Sequence, residues 1–285
     1  MVQFTTLAAM VGMPMLVMAS PLQSSHSDPF SLPITAIPTA NPADKTSGPL
    51  YDFGDRPSCL GIQTNDDADW FTTVLCALTS INFNKVRDNI KLDKGGVNNA
   101  ESATFSVYYL DPKDLKTKQV PVNYKDAAGP DHDNAGNHWY AGGFWKAIVS
   151  TGGSGVVKDG LFNSTANSDD KKWTEAGLWG FKYLTGMDAE RIDITDATKD
   201  WGIVDDLMDK ANHNPITILT KGEPSISLRP NHYYTVYSKH VDEIHIVIWN
   251  STNPSHLQDS FITVTSKELR DSAKALYHLK DWAKL

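Results

Sequence analysis

The sequence is sparing with cysteine. Two thiols, Cys59 and Cys76, in 285 residues are too few for a cysteine-rich scaffold or a four-cysteine zinc site. Basic charge is in deficit as well: 26 Lys and Arg stand against 34 Asp and Glu, for a net charge of -8. An acidic chain repels polyanions, which argues against nucleic acid as the main partner. Long apolar runs are missing after the first twenty positions, where nothing approaches the ~18 residues that span a bilayer, so no membrane segment is expected there. Metal-ligand spacing is missing too. His132, His138, His213, His240, His245, His256 and His278 form no His-x-x-x-His pair with an acid nearby, so no metal or cofactor is expected from them.

What remains is the composition of an ordinary globular protein, 40% hydrophobic and 21% charged. Residues 1–19 carry an apolar core from Leu7 to Val17 and small residues up to Ala19, the pattern of a secretory signal peptide. A buried N-terminal helix is the alternative, and Pro14 counts against it. Residues 20–50 are rich in Pro, Ser and Thr without periodicity, and read as a linker or a propeptide-like segment. A secreted chain could join Cys59 to Cys76 in a disulfide; two unpaired thiols are the other reading. Asn163-Ser164-Thr165 is a glycosylation acceptor, and Asn250-Ser251-Thr252 has the same form.

Residues 51–285 carry the structure. From Trp70 the apolar residues Trp70, Phe71, Val74, Leu75, Ala77, Leu78 and Ile81 recur at helical spacing, behind a first turn loaded with Asp66, Asp67 and Asp69. The stretch from Ile81 to Ser102 reads as loop or short helix, and 103–110 with 118–124 as a hairpin. Helices are expected over 138–149, over 175–184 with Gly186 just beyond the end, and over 201–211. Beyond Pro215 come four β-rich runs, at 216–219, 233–237, 244–249 and 261–264. A closing helix is expected over 267–280, introduced by the capping box Thr265-x-x-Glu268. Helices followed by an antiparallel sheet make an α+β protein, with a helical lobe over about 51–212, a β lobe over about 213–285 and a cleft between them.

Several of these pieces together resemble the calpain-type cysteine peptidases, over roughly residues 55–280. Gln63, six residues ahead of Asp69-Trp70-Phe71, is similar to the family's Gln and Cys-Trp-Phe helix start. Phe105–Tyr109 with Val120–Tyr124 resembles its hairpin, and Phe144-Trp145-Lys146-Ala147-Ile148 and Leu184-Thr185-Gly186 resemble later motifs. His232-Tyr233-Tyr234-Thr235-Val236 and Ile246-Val247-Ile248-Trp249-Asn250 are similar to the strands that bring the base and its orienting amide. The resemblance implies a papain-like two-lobed fold and four site residues. Gln63 would sit at the oxyanion hole, Asp69 at the nucleophile position, His232 as the base, and Asn250 as the residue that orients it. It would also suggest calcium, but no calcium ligands are identified here.

The departures set the chemistry. Asp69 stands where the family has its cysteine, Ala68 where it has an Asp, and Ser251-Thr252-Asn253-Pro254 where it has Pro-Trp-Gly, which leaves Asn253 as an alternative to Asn250. A carboxylate is a poor nucleophile toward amides, and losing a nucleophile of this kind removes ~10⁴-fold or more of the rate while sparing binding. A secreted, monomeric pseudopeptidase that binds a peptide or protein in the cleft is therefore the leading expectation. An active hydrolase of the family, as a peptidase or through Asp–His chemistry on another substrate, is the second. A module of another fold, with these residues as ordinary core and cap groups, is the third.

Overall fold

The computed structural model describes residues 45–52, 54–64, 68–111, 114–128, 134, 138–151, 170–194, 201–225, 228–239, 245–251 and 260–285. The expected signal peptide, most of the 20–50 segment, Asp66, Asp67, Asn163 and Asn253 lie outside the described residues.

The chain is α+β, with two antiparallel sheets among the described residues. Helix α1 (Asp69–Arg87) forms where the apolar spacing predicts it, and it is buried on every side over its first three turns. Its cap residue Ala68 offers no side-chain acceptor. Thr72 and Thr73 turn their hydroxyls back to the carbonyls of Ala68 and Asp69 (3.1 and 2.6 Å). The helix breaks at Asn82, whose backbone leaves helical geometry. Cys59 and Cys76 form a disulfide that ties the approach to α1 to the helix's second turn. Closing a loop of 17 residues in this way is worth about 3 kcal/mol.

The stretch after α1 is not simply loop. It contains β1 (Ile90–Lys94), an edge strand whose mostly exposed residues leave little period-two signal. Strands β2 (Ser102–Asp111) and β3 (Asp114–Asn123) are the expected hairpin, and the sheet order is β1-β2-β3. The short α2 (Tyr124–Ala127) precedes α3 (Tyr140–Val149), whose Phe144 packs edge-on against Phe105 of β2 (5.2 Å between rings). Helix α4 (Asp170–Thr185) then runs beside α1. It ends at Gly186, whose φ of 71° and N–H bond to the Lys182 carbonyl make it the left-handed C′ residue that the sequence predicts.

From there the chain builds a six-stranded sheet in the order β4-β9-β5-β6-β7-β8. It comprises β4 (Ala189–Asp193), β5 (Ile216–Thr220), β6 (Tyr233–Lys239), β7 (His245–Trp249), β8 (Phe261–Thr265) and β9 (Ala273–Leu279), with α5 (Trp201–Met208) and α6 (Ser266–Ser272) between strands. Two features differ from the sequence reading. Strand β4 comes from residues expected in the helical region. The closing helix expected over 267–280 is helical only as α6, and Ala273 onward is β9. The capping box is real: the Thr265 N–H donates to Glu268 Oε2 (2.8 Å) and the Glu268 N–H to Thr265 Oγ1 (3.2 Å). Helix propensity then yields to pairing, because β9 lies between β4 and β5 and satisfies its backbone on both sides.

Period two assigns each face of this sheet. Ile216, Ile218, Tyr234, Val236, Ile246, Ile248, Val264 and Leu276 point to one side and pack with Val204, Met208 and Leu269 from α5 and α6. Leu219, Tyr233, Trp249, Ala275, Tyr277 and Leu279 point to the other and join the core of α1, α3, α4 and the three-stranded sheet. No helix among the described residues is long and apolar enough to cross a membrane.

Candidate functional site

The seam between α1 and the six-stranded sheet is where the sequence-predicted residues meet. Asp69 is the first residue of α1, where the helix dipole favours negative charge. It is fully buried, and among the described residues it is the one Asp, Glu, Lys or Arg side chain in the buried class. Its Oδ1 accepts the Trp70 N–H at 2.8 Å. Its Oδ2 lies 2.6 Å from His232 Nδ1 and accepts the Tyr233 N–H at 2.8 Å. His232 is 4% exposed, and its Nε2 lies 3.1 Å from Asn250 Oδ1. Asp69, His232 and Asn250 thus form one chain of hydrogen bonds running from the helix start across β6 to the end of β7.

The local backbone explains why His232 points there. Asn231 has φ of 50°, the one non-glycine residue with positive φ among the described residues; asparagine tolerates that region better than most. Its N–H donates to the Lys221 carbonyl (3.0 Å), and its carbonyl accepts the Trp173 indole N–H (2.9 Å). The turn is therefore held by both β5 and α4 as it delivers His232 to the seam. The ring also meets Tyr234 edge-on, with 5.0 Å between centroids.

Tyr233 ties the same strand to α4. Its hydroxyl donates to the Trp173 carbonyl (2.6 Å) and accepts the Gly177 N–H (3.1 Å), bridging one rung of the helix's own ladder. Gly177 permits this approach, since a Cβ there would sit 2.9 Å from the Tyr277 ring. Burial holds the Tyr233 phenol well above the usual tyrosine range, with Tyr277 and then the Asp69 charge adding to the effect. Burial likewise raises Tyr234, against the pull of Arg229. A second bond joins helix and sheet a turn further on, where the Thr235 hydroxyl donates to the Thr73 carbonyl (2.7 Å).

Gln63 is half-buried, and among the described residues it does not join the bond chain of Asp69, His232 and Asn250, but its neighbour closes the seam: the Thr64 N–H donates to the Ser251 carbonyl at 2.9 Å, one residue past Asn250. Thr64 Oγ1 and Ser251 Oγ are both buried without a hydrogen-bond partner among the described residues. Asn250 is 9% exposed, with its Oδ1 against the His232 ring. Among the described residues no group of three His, Cys, Asp or Glu could hold a metal.

Sequence reasoning finds the residue types of this site and misses its second anchor. The Tyr233 N–H is a main-chain donor and has no side-chain signature. Its only sequence trace is its place directly after His232.

The arrangement leaves little free chemistry. Both nitrogens of His232 face oxygen acceptors, and Asp69 Oδ2 carries two donors. An acid so placed is an electrostatic partner for the imidazole. No protein-family model matches the chain, and no curated protein does.

Proposed function

We propose that this chain is a secreted, monomeric protein of papain-like, two-lobed architecture, resembling calpain-type cysteine peptidases, that binds a peptide or protein segment in its interlobe groove without cleaving it. The observation that carries the reading is the bond chain Asp69–His232–Asn250. It has the residue types and order of a thiol-protease site, with a fully buried carboxylate where sulfur would be. Supporting it, the base has no nitrogen left to take a proton from a substrate or water unless one of its two bonds breaks. The Cys59–Cys76 disulfide fits an oxidising compartment outside the cytosol.

The test is a cleavage assay on a mixed peptide library. The wild type is expected to leave every peptide intact. Asp69→Cys is expected to gain labelling by iodoacetamide, since the two native cysteines are bonded to each other, and to gain cleavage with it. Cleavage by the wild type that survives thiol-blocking reagents and disappears in Asp69→Asn would replace this reading with a hydrolase that works through the Asp–His pair.

A further inference from the structure

A buried carboxylate is costly unless hydrogen bonds replace its lost water, and here they come from two separate elements. Oδ1 is held by α1 itself, through the Trp70 N–H. Oδ2 is held by the strand across the seam, through the His232 ring and the Tyr233 N–H. A cysteine in this place could accept neither bond as strongly, because a thiol is a weak acceptor. We infer that Asp69 is a clasp: it bolts the start of α1 to β6, and the groove beside it opens only when the Asp69–His232 and Asp69–Tyr233 bonds release together. The substitution that removes a nucleophile thereby installs a fastening. The clasp rests on the preceding reading for the groove it guards, while the fastening itself stands on the distances alone.

The other links across the seam show how far its release would spread. Thr64 bonds to Ser251 on one side of Asp69, and Thr235 to Thr73 on the other. Neither touches the carboxylate. Thr64 is therefore a reporter that a merely local loss of acceptor would not move, whereas Tyr233 reports the bond itself. Leu276 in β9, paired with Ile192 and Ile218, reports the integrity of the sheet.

Amide hydrogen exchange, resolved by residue with NMR on the full chain, decides the matter. Asp69→Asn keeps the shape and removes the charge. Its expected result is exchange at least tenfold faster at both Tyr233 and Thr64, with Leu276 unchanged. His232→Gln breaks the same fastening from the other side and is read in the same way, so the test stands if Asp69→Asn does not fold. Acceleration at Tyr233 alone would overturn the clasp and leave Asp69 an ordinary local hydrogen-bond acceptor. Equal acceleration at all three amides would overturn it too, by making the residue a contributor to global stability only. Cleavage of peptides by the wild type would sink the functional reading and leave this exchange pattern as it is.

Discussion

The two faces of the six-stranded sheet are built by different means. One is dry but for Tyr234, whose hydroxyl accepts the Arg229 N–H (2.9 Å): Ile216, Ile218, Val236, Ile246, Ile248, Val264 and Leu276 meet Val204, Met208 and Leu269, aliphatic against aliphatic. The other carries side-chain hydrogen bonds to main chain. Tyr233 reaches Trp173 and Gly177, Tyr277 reaches Thr174 (2.6 Å), and Thr235 reaches Thr73. Apolar contacts are non-directional and tolerate small shifts, while hydrogen bonds fix the position of both partners. The dry face supplies stability, and the bonded face fixes where Asp69, His232 and Asn250 stand relative to one another.

That division can be attacked from either side. The largest effect is expected on the dry face. Ile248→Ala opens a cavity in a fully buried site and should lower unfolding free energy by about 2–5 kcal/mol in urea melts, while leaving the thiol reactivity of an Asp69→Cys background unchanged. Tyr233→Phe should cost less, about 1–3 kcal/mol, for a buried hydroxyl that bridges α4. In the same Asp69→Cys background it should slow alkylation, because the strand that delivers His232 loses its hold on the helix. A Tyr233→Phe variant that is less stable but equally reactive would erase the proposed difference between the faces.

The smallest effect lies away from both faces, at Asp52. Burial pushes this carboxyl above the usual range, although Ser58 donates to it through both N–H (3.0 Å) and hydroxyl and His138 lies near. For an acid the sign is clear. Its contribution to stability is complete below the ordinary carboxylate pKa and is lost as pH rises through the raised value. Urea midpoints should therefore fall in that window for the wild type and flatten in Asp52→Asn. A steeper fall in the variant would contradict the assignment.

How much of this could be read from the sequence follows from which signals are local. Helix α1 is legible because Trp70 to Leu78 are apolar at helical spacing, and the end of α4 because Gly186 supplies a left-handed residue. The site residues Asp69, His232 and Asn250 are legible as types at plausible places, and the structure brings those three within hydrogen-bond reach. Strand β9 is not legible. Ala, Lys and Leu after a capping box favour helix, and what overrides them is a vacancy between β4 and β5 that only the assembled sheet presents. The Tyr233 N–H is hidden for a related reason: its importance comes from where β6 lies, not from what residue it belongs to.

The placement of β9 also bears on how the protein is made. It is the last strand in chain order among the described residues, yet it sits inside the sheet between β4 and β5. While it is still within the ribosome, β4 has no partner and β5 has one bare edge, a state open to pairing with other chains. Completion of the sheet therefore waits for Ala273–Leu279, and truncation just before Ala273 should yield aggregates instead of a smaller folded protein.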